Sequence, residues 1–359
     1  MNPSATLVIR ADASITMGTG HVMRCLALAQ AWRHVGGNVI FVMAESTPAI
    51  TRRLQVEGIE VVQSDHPCGN EQDANNLAEL SDKCDATWVA VDGYQFDSAY
   101  QYRIKEADLR LLWIDDTGHC APYCADFVLN QNSYAHAGMY LSCDSTLLLG
   151  PRYALLREEF LPWQSRQRDF PPEARHLLIT MGGSDPQNLT AHVLDALGKW
   201  DGDIEITVVI GGSNPRAEQL RRLVEHSRRK FQLQLDVKDM SGLMARADLA
   251  ISAAGGSCYE LALLQVPMVL IAMAENQRPT AWSLSKEGAA IDAGWFHDFN
   301  AEQLIKAVRH LTVNCELRRS LGHIARRMVD GNGAQRVCEL LLHHEELQAK
   351  TPKLQVGAV

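Results

Sequence analysis

The sequence lacks long apolar runs, and its basic residues are outnumbered by its acidic ones. No stretch of the 359 residues supplies the roughly 18 apolar residues of a membrane-spanning helix, and the N-terminus lacks the basic and then apolar segments of a signal peptide. There are 34 lysines and arginines against 43 aspartates and glutamates, a net charge of −9, whereas nucleic-acid binding depends on clustered positive charge. We therefore expect neither a membrane nor a nucleic-acid partner.

The sequence also lacks the cysteine spacing of a disulfide framework or a zinc site. Its nine cysteines are odd in number and scattered, which is typical of reduced thiols and favours a cytoplasmic protein. His119, Cys120 and Cys124 lie close together, but no second pair of cysteine or histidine residues follows at the spacing of a zinc site. We expect the chain to bind no metal and no other cofactor and to be a monomer.

Short apolar runs alternate with helical patterns in both halves of the chain. The runs predict strands at 6–10, 38–43, 59–63, 87–92 and 110–115 and again at 176–181, 205–210, 232–236, 248–252 and 268–271. The clearest helix, 21–34, carries an apolar stripe at three- to four-residue spacing. Continuous apolar strands that alternate with helices are typical of parallel sheets covered on both faces. The sequence therefore predicts an α/β protein with two Rossmann-like, doubly wound domains facing a cleft.

A proline-rich segment divides the two halves. Residues 151–175 contain four prolines with mixed charge and no clear period, which predicts an interdomain linker. We accordingly expect an N-terminal domain at 1–150, a C-terminal domain at 176–345, and a tail at 346–359.

The most informative motif lies between the first predicted strand and the first predicted helix. Gly18, Gly20 and His21 occupy this turn. Backbone N–H groups at such a helix start favour an anion, and a histidine there can act on whatever the loop holds. An ordinary turn with a hydrogen-bonded histidine is the alternative.

The second half opens in the same way. Gly182, Gly183 and Ser184 follow its first predicted strand, with Pro186 placed to begin a helix. The glycines would let backbone amides approach a diphosphate, and Ser184 could cap the helix or bind a phosphate oxygen. A plain strand–turn–helix connection fits the same residues.

Two further polar turns follow later strands of this half. Gly256 and Ser257 precede a helix in whose first turn Glu260 lies, where a carboxylate either accepts both ribose hydroxyls of a nucleotide or is an ordinary helix N-terminal acid. Asn276 and Gln277 follow the next strand, and their amides suit sugar hydroxyls and acetamido groups. Because ligands bind at the carboxyl edge of such sheets, we predict that these turns share one site.

These motifs carry a resemblance to known families. The second half resembles UDP-sugar glycosyltransferases of the two-Rossmann GT-B fold, among them the peptidoglycan N-acetylglucosaminyltransferases. The first half, at 9–12 and 18–26, more specifically resembles the hydrolases of UDP-2,4-diacetamido-2,4,6-trideoxy-β-L-altropyranose in pseudaminic acid biosynthesis. The resemblance continues at 91–94, 114–116, 149–157 and 180–185 and spans residues 6 to about 340.

The resemblance implies a reaction in which water displaces UDP from the anomeric carbon with inversion. UDP is a good leaving group, so the chemistry needs one base and no protonating acid. The resemblance implies His21 as that base, with Tyr94 beside it as a partner of the sugar or the water. We expect Asp12 to orient the imidazole or ready the water. Arg24 would either offset diphosphate charge or form a surface ion pair.

Three other functions fit the same fold and nucleotide. A GT-B glycosyltransferase would use the same UDP-sugar with an acceptor that the sequence does not identify. A UDP-sugar 2-epimerase would yield a different sugar product, and a non-catalytic sensor would bind the nucleotide sugar without turnover. If the hydrolase interpretation holds, the UDP-sugar itself is the only partner expected, and the first glycine turn faces the sugar and holds His21.

Overall fold

The computed structural model describes residues 5–141 and 143–344 and contains two parallel sheets. The first sheet has the order β3-β2-β1-β4-β5-β6-β7, and the second has the order β10-β9-β8-β11-β12-β13. The strands are β1 (Thr6–Ala11), β2 (Asn38–Met43), β3 (Glu60–Gln63), β4 (Ala86–Asp92), β5 (Leu111–Ile114), β6 (Phe127–Asn130), β7 (Thr146–Leu149), β8 (His176–Thr180), β9 (Glu205–Ile210), β10 (Gln232–Leu235), β11 (Leu249–Ala253), β12 (Met268–Ala272) and β13 (Ile291–Trp295). The predicted α/β class with two doubly wound domains is confirmed.

The α-helices connect and cover these strands. They are α1 (Gly20–His34), α2 (Pro48–Val56), α3 (Glu71–Lys83), α4 (Ser98–Glu106), α5 (Leu189–Gly198), α6 (Ala217–Glu225), α7 (Met240–Arg246), α8 (Ser257–Leu263), α9 (Gln277–Lys286), α10 (Ala301–Val313), α11 (Cys315–Met328) and α12 (Gly333–Leu342). None of the helices in the described residues is both long and apolar enough to span a bilayer.

Every strand predicted from the sequence is present, but three further strands were missed. β6 and β7 have four residues each, and the chain between them forms a 3-10 turn instead of an α-helix. The strand–helix alternation that identifies the other strands is therefore absent there. β13 carries Asp292 and Gly294 on exposed positions, so it lacks the continuous apolar run of a buried strand.

The central strands are buried on both faces, as the covering helices require. All six residues of β1 are buried, including Arg10. The Arg10 guanidinium forms ion pairs with Asp12 at 2.7 Å and Asp73 at 3.1 Å, so its charge is compensated inside the first domain. This ion-pair cluster lies at the carboxyl end of the strand that leads to the Gly18–His21 turn.

The strand order reverses between β1 and β4 in the first sheet and between β8 and β11 in the second. At such switch points the connections leave to opposite faces of the sheet, and a crevice opens at the carboxyl ends of the strands. His21 follows β1, and the Gly182–Ser184 turn follows β8. Each domain therefore brings its predicted motif to its own switch point.

The last described helix crosses back to the first domain, which corrects the predicted boundary at residue 345. Val337 and Cys338 of α12 are buried in the same core as α1, and the Trp88 indole N–H donates to the carbonyl of Leu341 at 3.1 Å. The predicted linker, 151–175, contains two 3-10 helices, Pro151–Tyr153 and Glu158–Trp163. The predicted tail, 346–359, lies outside the described residues.

Candidate active site

His21 lies at the start of α1 and is held by a carboxylate from the neighbouring strand. Its Nδ1 is 2.7 Å from Oδ1 of Asp92, the last residue of β4, and only 7% of the imidazole side chain is exposed. Because a carboxylate only accepts, Nδ1 carries the proton in this pair, which makes Nε2 the nitrogen that holds the lone pair in the base form of the ring. Within the described residues, Nε2 has no hydrogen-bond partner. The arrangement is that of a general base and the group that orients it.

Asp92 takes the position that was expected for Asp12, and this part of the sequence-based hypothesis is corrected. Asp12 Oδ1 accepts hydrogen bonds from the backbone N–H groups of Ala44 and Glu45, at 2.7 and 3.0 Å. Its Oδ2 accepts from the Cys68 thiol at 2.7 Å. With the ion pair to Arg10, these contacts make Asp12 part of the buried cluster that joins the ends of β1 and β2.

Arg24 lies one turn further along α1 and neutralises two carboxylates of the site. Its Nε and Nη2 donate to the two oxygens of Asp92, and its Nη1 donates to Oδ1 of Asp116, each at 2.7 Å. Burial raises the pKa of both carboxyls, but the Arg24 charge outweighs it and holds the pKa of Asp92 and of Asp116 below the ordinary aspartate value. Arg24 is thus an ion-pair partner within the site, and its guanidinium is not free to contact a diphosphate.

Tyr94 lies against His21 and connects the two domains. The two rings meet edge to face, with centroids 4.9 Å apart and an interplanar angle of 79°. The Tyr94 hydroxyl donates to Asp116 Oδ2 and accepts from the Asn276 amide of the second domain, both at 2.6 Å. Burial and the Asp116 charge raise the pKa of Tyr94, so its hydroxyl stays protonated and able to donate. The structure therefore brings His21, Tyr94 and Asn276 together.

The two glycine turns that open the domains face each other across the cleft. A Cβ atom built on Gly18 would lie 3.7 Å from the Ser184 hydroxyl, and one built on Gly183 would lie 2.1 Å from Thr19 Oγ1. No side chain could be added at Gly183 without separating the turns. Gly18 and Gly182 have φ angles of 87° and 78°, which L side chains rarely adopt.

The helix after the second glycine turn begins later than expected. Pro186 is not its first residue, because α5 begins at Leu189. The Asp185 carboxylate accepts the backbone N–H groups of Leu189 and Thr190 at 2.8 and 3.0 Å, which satisfies donors that the helix itself cannot. Ser184 therefore does not cap this helix, as the sequence had suggested it could. Its hydroxyl has no hydrogen-bond partner within the described residues.

The other predicted second-domain residues line the same carboxyl edge. Gly256 precedes α8, which begins at Ser257, and Gln277 begins α9 with its Oε1 accepting the Met273 N–H at 2.9 Å. Glu260 Oε1 accepts from Arg157 of the linker at 2.9 Å. A carboxylate at the position predicted for a ribose contact is thus oriented by a linker arginine.

A cavity of about 530 Å³ lies beside Tyr94, between the two domains. The first domain contributes Asp116, Tyr134 and Met139 to its wall, and the second contributes Asn276, Pro279 and Trp282. We refer to this space as the cleft cavity. Its size and its mixture of apolar walls with a few polar groups are typical of small-molecule sites.

His119 lies near Tyr94 and gives the site a charged neighbour with a measurable pH dependence. Its Nδ1 is 3.3 Å from Asp115 and its Nε2 is 3.2 Å from the Phe96 carbonyl, so both ring nitrogens face acceptors. The hydrogen bond with Asp115 chiefly raises the pKa of His119 to about 10.

His119→Gln is expected to destabilise the protein in a pH-dependent way. Because the pKa is raised on folding, the contribution is fully present below the ordinary histidine pKa of about 6.5 and is lost as the pH rises through about 10. With the side chain 31% exposed, we expect a loss on the order of 1–2 kcal/mol at pH 6. Urea unfolding of both proteins at pH 6 and pH 10 measures it, and an equal difference at the two pH values would contradict the assignment.

Comparison with known proteins finds a family model for the second domain and similar proteins for most of the chain. Residues 176–323 match the model of the glycosyltransferase family 28 C-terminal domain. The chain is 30% identical over 249 residues to the spore coat polysaccharide biosynthesis protein SpsG of Bacillus subtilis, which covers 67% of this chain and 72% of SpsG. The chain belongs to the SpsG family.

Other proteins that are similar to this chain carry different names. The UDP-2,4-diacetamido-2,4,6-trideoxy-β-L-altropyranose hydrolase of Campylobacter jejuni is 26% identical over 295 residues, which covers 80% of this chain and 98% of that protein. An uncharacterized protein of Methanocaldococcus jannaschii is 28% identical over 280 residues, which covers 76% of this chain. The chain spans only 56% of the length of that archaeal protein.

Solved structures support the same fold. Acinetobacter baumannii MurG superposes with a TM-score of 0.64 at 18% identity, covering 94% of this chain and 99% of MurG. The UDP co-structure of S. aureus MnaA superposes with a TM-score of 0.68 at 11% identity, covering 97% and 98%. At these identities the comparison establishes the GT-B architecture alone.

Three charged residues of the site were not identified from the sequence: Asp92, Asp116 and Arg157. All three lie in segments that carry the family resemblance; Asp92 ends one predicted strand, and Asp116 directly follows another. Their position at strand ends was a usable signal. What the sequence alone could not supply was which strand end lies beside His21.

Proposed function

We propose that the protein hydrolyses a UDP-linked 2,4-diacetamido-2,4,6-trideoxy sugar to free sugar and UDP, as the name of the Campylobacter jejuni relative describes for that protein. The observation that carries the proposal is the His21–Asp92 pair at 2.7 Å. It gives the cleft one oriented base with an unpartnered Nε2 beside Tyr94, and displacement of a good leaving group by water requires one base. The closely paired carboxylates of ordinary glycosidases are not needed for such a leaving group.

In the proposed reaction, His21 Nε2 removes a proton from water as the water oxygen bonds to the anomeric carbon. The bond from that carbon to the diphosphate oxygen breaks on the opposite face, and its electron pair leaves with UDP. The proton stays on the imidazole, whose positive charge Asp92 stabilises through Nδ1–H. Arg24 keeps Asp92 ionised and fixes its position through two hydrogen bonds.

The second domain supplies the nucleotide side of the proposed site. Arg24 is fully engaged by carboxylates, so the diphosphate is met by backbone N–H groups of the Gly182–Ser184 turn and of the turn before α8. Glu260 would accept the ribose hydroxyls. The Gly18–Gly20 turn then faces the sugar, and Tyr94 and Asn276 contact its hydroxyl or acetamido groups.

The proposal is tested by incubating the protein with the UDP-sugar alone in ¹⁸O-labelled water. We expect equal amounts of free sugar and UDP, with the newly released sugar as the inverted anomer by NMR and no label in UDP. Label in the β-phosphate of UDP would show cleavage at phosphorus and contradict the mechanism.

A glycosyltransferase is the second candidate, because the family 28 C-terminal domain match covers the whole second sheet. A transferase would release little sugar without an acceptor in the same experiment. Appearance of an epimerised UDP-sugar would instead indicate an epimerase, and UDP binding without any turnover would indicate a sensor.

Arg157→Gln is expected to reduce the preference of the protein for UDP over 2′-deoxy-UDP by about tenfold. Arg157 holds Glu260 by a charge-assisted hydrogen bond of 2.9 Å, and its loss leaves the ribose contact poorly oriented. Calorimetry with both nucleotides measures the ratio. Arg166→Gln, which alters another linker arginine that bonds to the Ala245 carbonyl, is the control. An equal weakening of both nucleotides by Arg157→Gln would indicate a structural role only.

A further inference from the structure

We infer that the cleft cavity receives the acyl group on C4 of the sugar and selects substrates by the apolar part of that group. The inference rests on the proposed function and extends it from a reaction to a substrate specificity. It is carried by the position of the cavity relative to His21, by the charges around the cavity, and by the apolar side chains that line it.

The first argument is geometric. Tyr94 contacts His21 on one side, and its hydroxyl bonds to Asp116 and Asn276, both of which line the cavity. The cavity therefore lies at the hydroxyl end of Tyr94, whereas the proposed base lies against the Tyr94 ring. In a pyranose ring C4 lies opposite C1, so a sugar whose anomeric carbon faces His21 directs its C4 substituent toward the cavity.

The second argument is electrostatic. Among the described residues, no arginine or lysine lines the cavity, whereas Asp116, His136 and Glu275 do. Both carboxylates are already paired, Asp116 with Arg24 at 2.7 Å and Glu275 with Arg278 at 3.1 Å, so the residues that line the cavity offer a diphosphate no lysine or arginine to bind. Arg24 and the Tyr94 hydroxyl already engage the Asp116 carboxylate, which leaves the cavity suited to an uncharged group with polar and apolar parts, such as an amide with a methyl.

The third argument concerns the apolar wall. Met139 comes from the 3-10 turn of the first domain, while Pro279 and Trp282 lie one turn apart on α9. Trp282 exposes 58% of its surface, an unusual fraction for the largest apolar side chain. A methyl group seated among these side chains loses contact with water, and one methylene in such a pocket changes kcat/KM by about 10–200-fold.

The test uses three UDP-2-acetamido-2,4,6-trideoxy sugars that differ only in a formyl, acetyl or propanoyl group on the C4 nitrogen. Dissociation constants from calorimetry and kcat/KM for UDP release are measured with each. We expect the wild-type protein to prefer acetyl over formyl by about tenfold or more. We expect Trp282→Ala and Met139→Ala each to reduce that preference to about threefold or less.

Tyr102→Ala is the matched control, because Tyr102 is an aromatic residue on α4 with 49% exposure that does not line the cavity. It should keep the wild-type preference. The inference would be overturned if Trp282→Ala and Met139→Ala both kept the wild-type acyl preference, including the case in which kcat/KM falls equally for all three sugars. If the wild-type protein binds the sugars without hydrolysing them, the proposed function fails. The dissociation constants of the three sugars then show whether the cleft cavity selects the acyl group. If it binds none of them, both proposals fail.

Discussion

His21→Ala should lower kcat for UDP release by about 10²–10⁴-fold while leaving the affinity for UDP nearly unchanged. The imidazole is the one group at the start of α1 with an unpartnered nitrogen beside Tyr94, and its loss removes the acceptor for the water proton. The nucleotide contacts that we propose come from the other domain, so the substitution should leave them unaltered. Steady-state kinetics of UDP release and calorimetry of UDP binding measure the two quantities.

His34→Ala is the control for this prediction. His34 is an exposed residue in the last turn of the same helix and lies far from the cleft, so its loss should change neither kcat nor UDP affinity. If His21→Ala released UDP at the wild-type rate, the assignment of His21 as the base would be abandoned. A fall in UDP affinity that matched the fall in kcat would indicate that the imidazole serves binding and not proton transfer.

His21 could be found from the sequence because its signal is local. A strand, a glycine turn and a helix start occur within a few residues, and their physical consequence does not depend on the rest of the fold. Its partner could not be found in this way. Asp92 is 71 residues away, and it reaches His21 only because β4 lies directly beside β1 in the sheet.

Asp12 illustrates why proximity in sequence is a poor guide to partnership across a sheet. It follows the same strand as His21 but stands next to the buried Arg10, whose charge must be compensated locally. The backbone N–H groups after β2 donate to Asp12 Oδ1, and the Cys68 thiol donates to its Oδ2. In this chain the nearest carboxylate pairs with the buried arginine, and a more distant one pairs with His21.

The contacts between the two domains could not be predicted from the sequence either, although the residues that form them were identified. Tyr94 and Asn276 were both predicted to meet the sugar, yet their mutual hydrogen bond of 2.6 Å depends on how the two sheets face each other. The approach of Gly18 to Ser184 has the same origin. Both contacts bring the second domain against residues that lie next to His21, namely the Tyr94 side chain and the glycine turn before α1.

Asp92→Asn should lower kcat by about 10²–10⁴-fold with UDP affinity retained, a loss comparable to that of removing His21. The Asn side chain can donate its amide N–H to Nδ1, which places the imidazole proton on Nε2 and leaves no lone pair to accept from water. Kinetics and UDP calorimetry measure this effect as for His21.

Asp85→Asn is the matched control, because Asp85 is an exposed aspartate just before the same strand, and its φ of 50° is one that Asn tolerates. Asp116 still pairs with Arg24 in Asp92→Asn, so that guanidinium is not left without a counter-ion. A thermal transition with retained UDP binding shows that the variant folds. Loss of less than tenfold in kcat under these conditions would contradict orientation of the imidazole by Asp92, since the wrong tautomer alone should cost more than this.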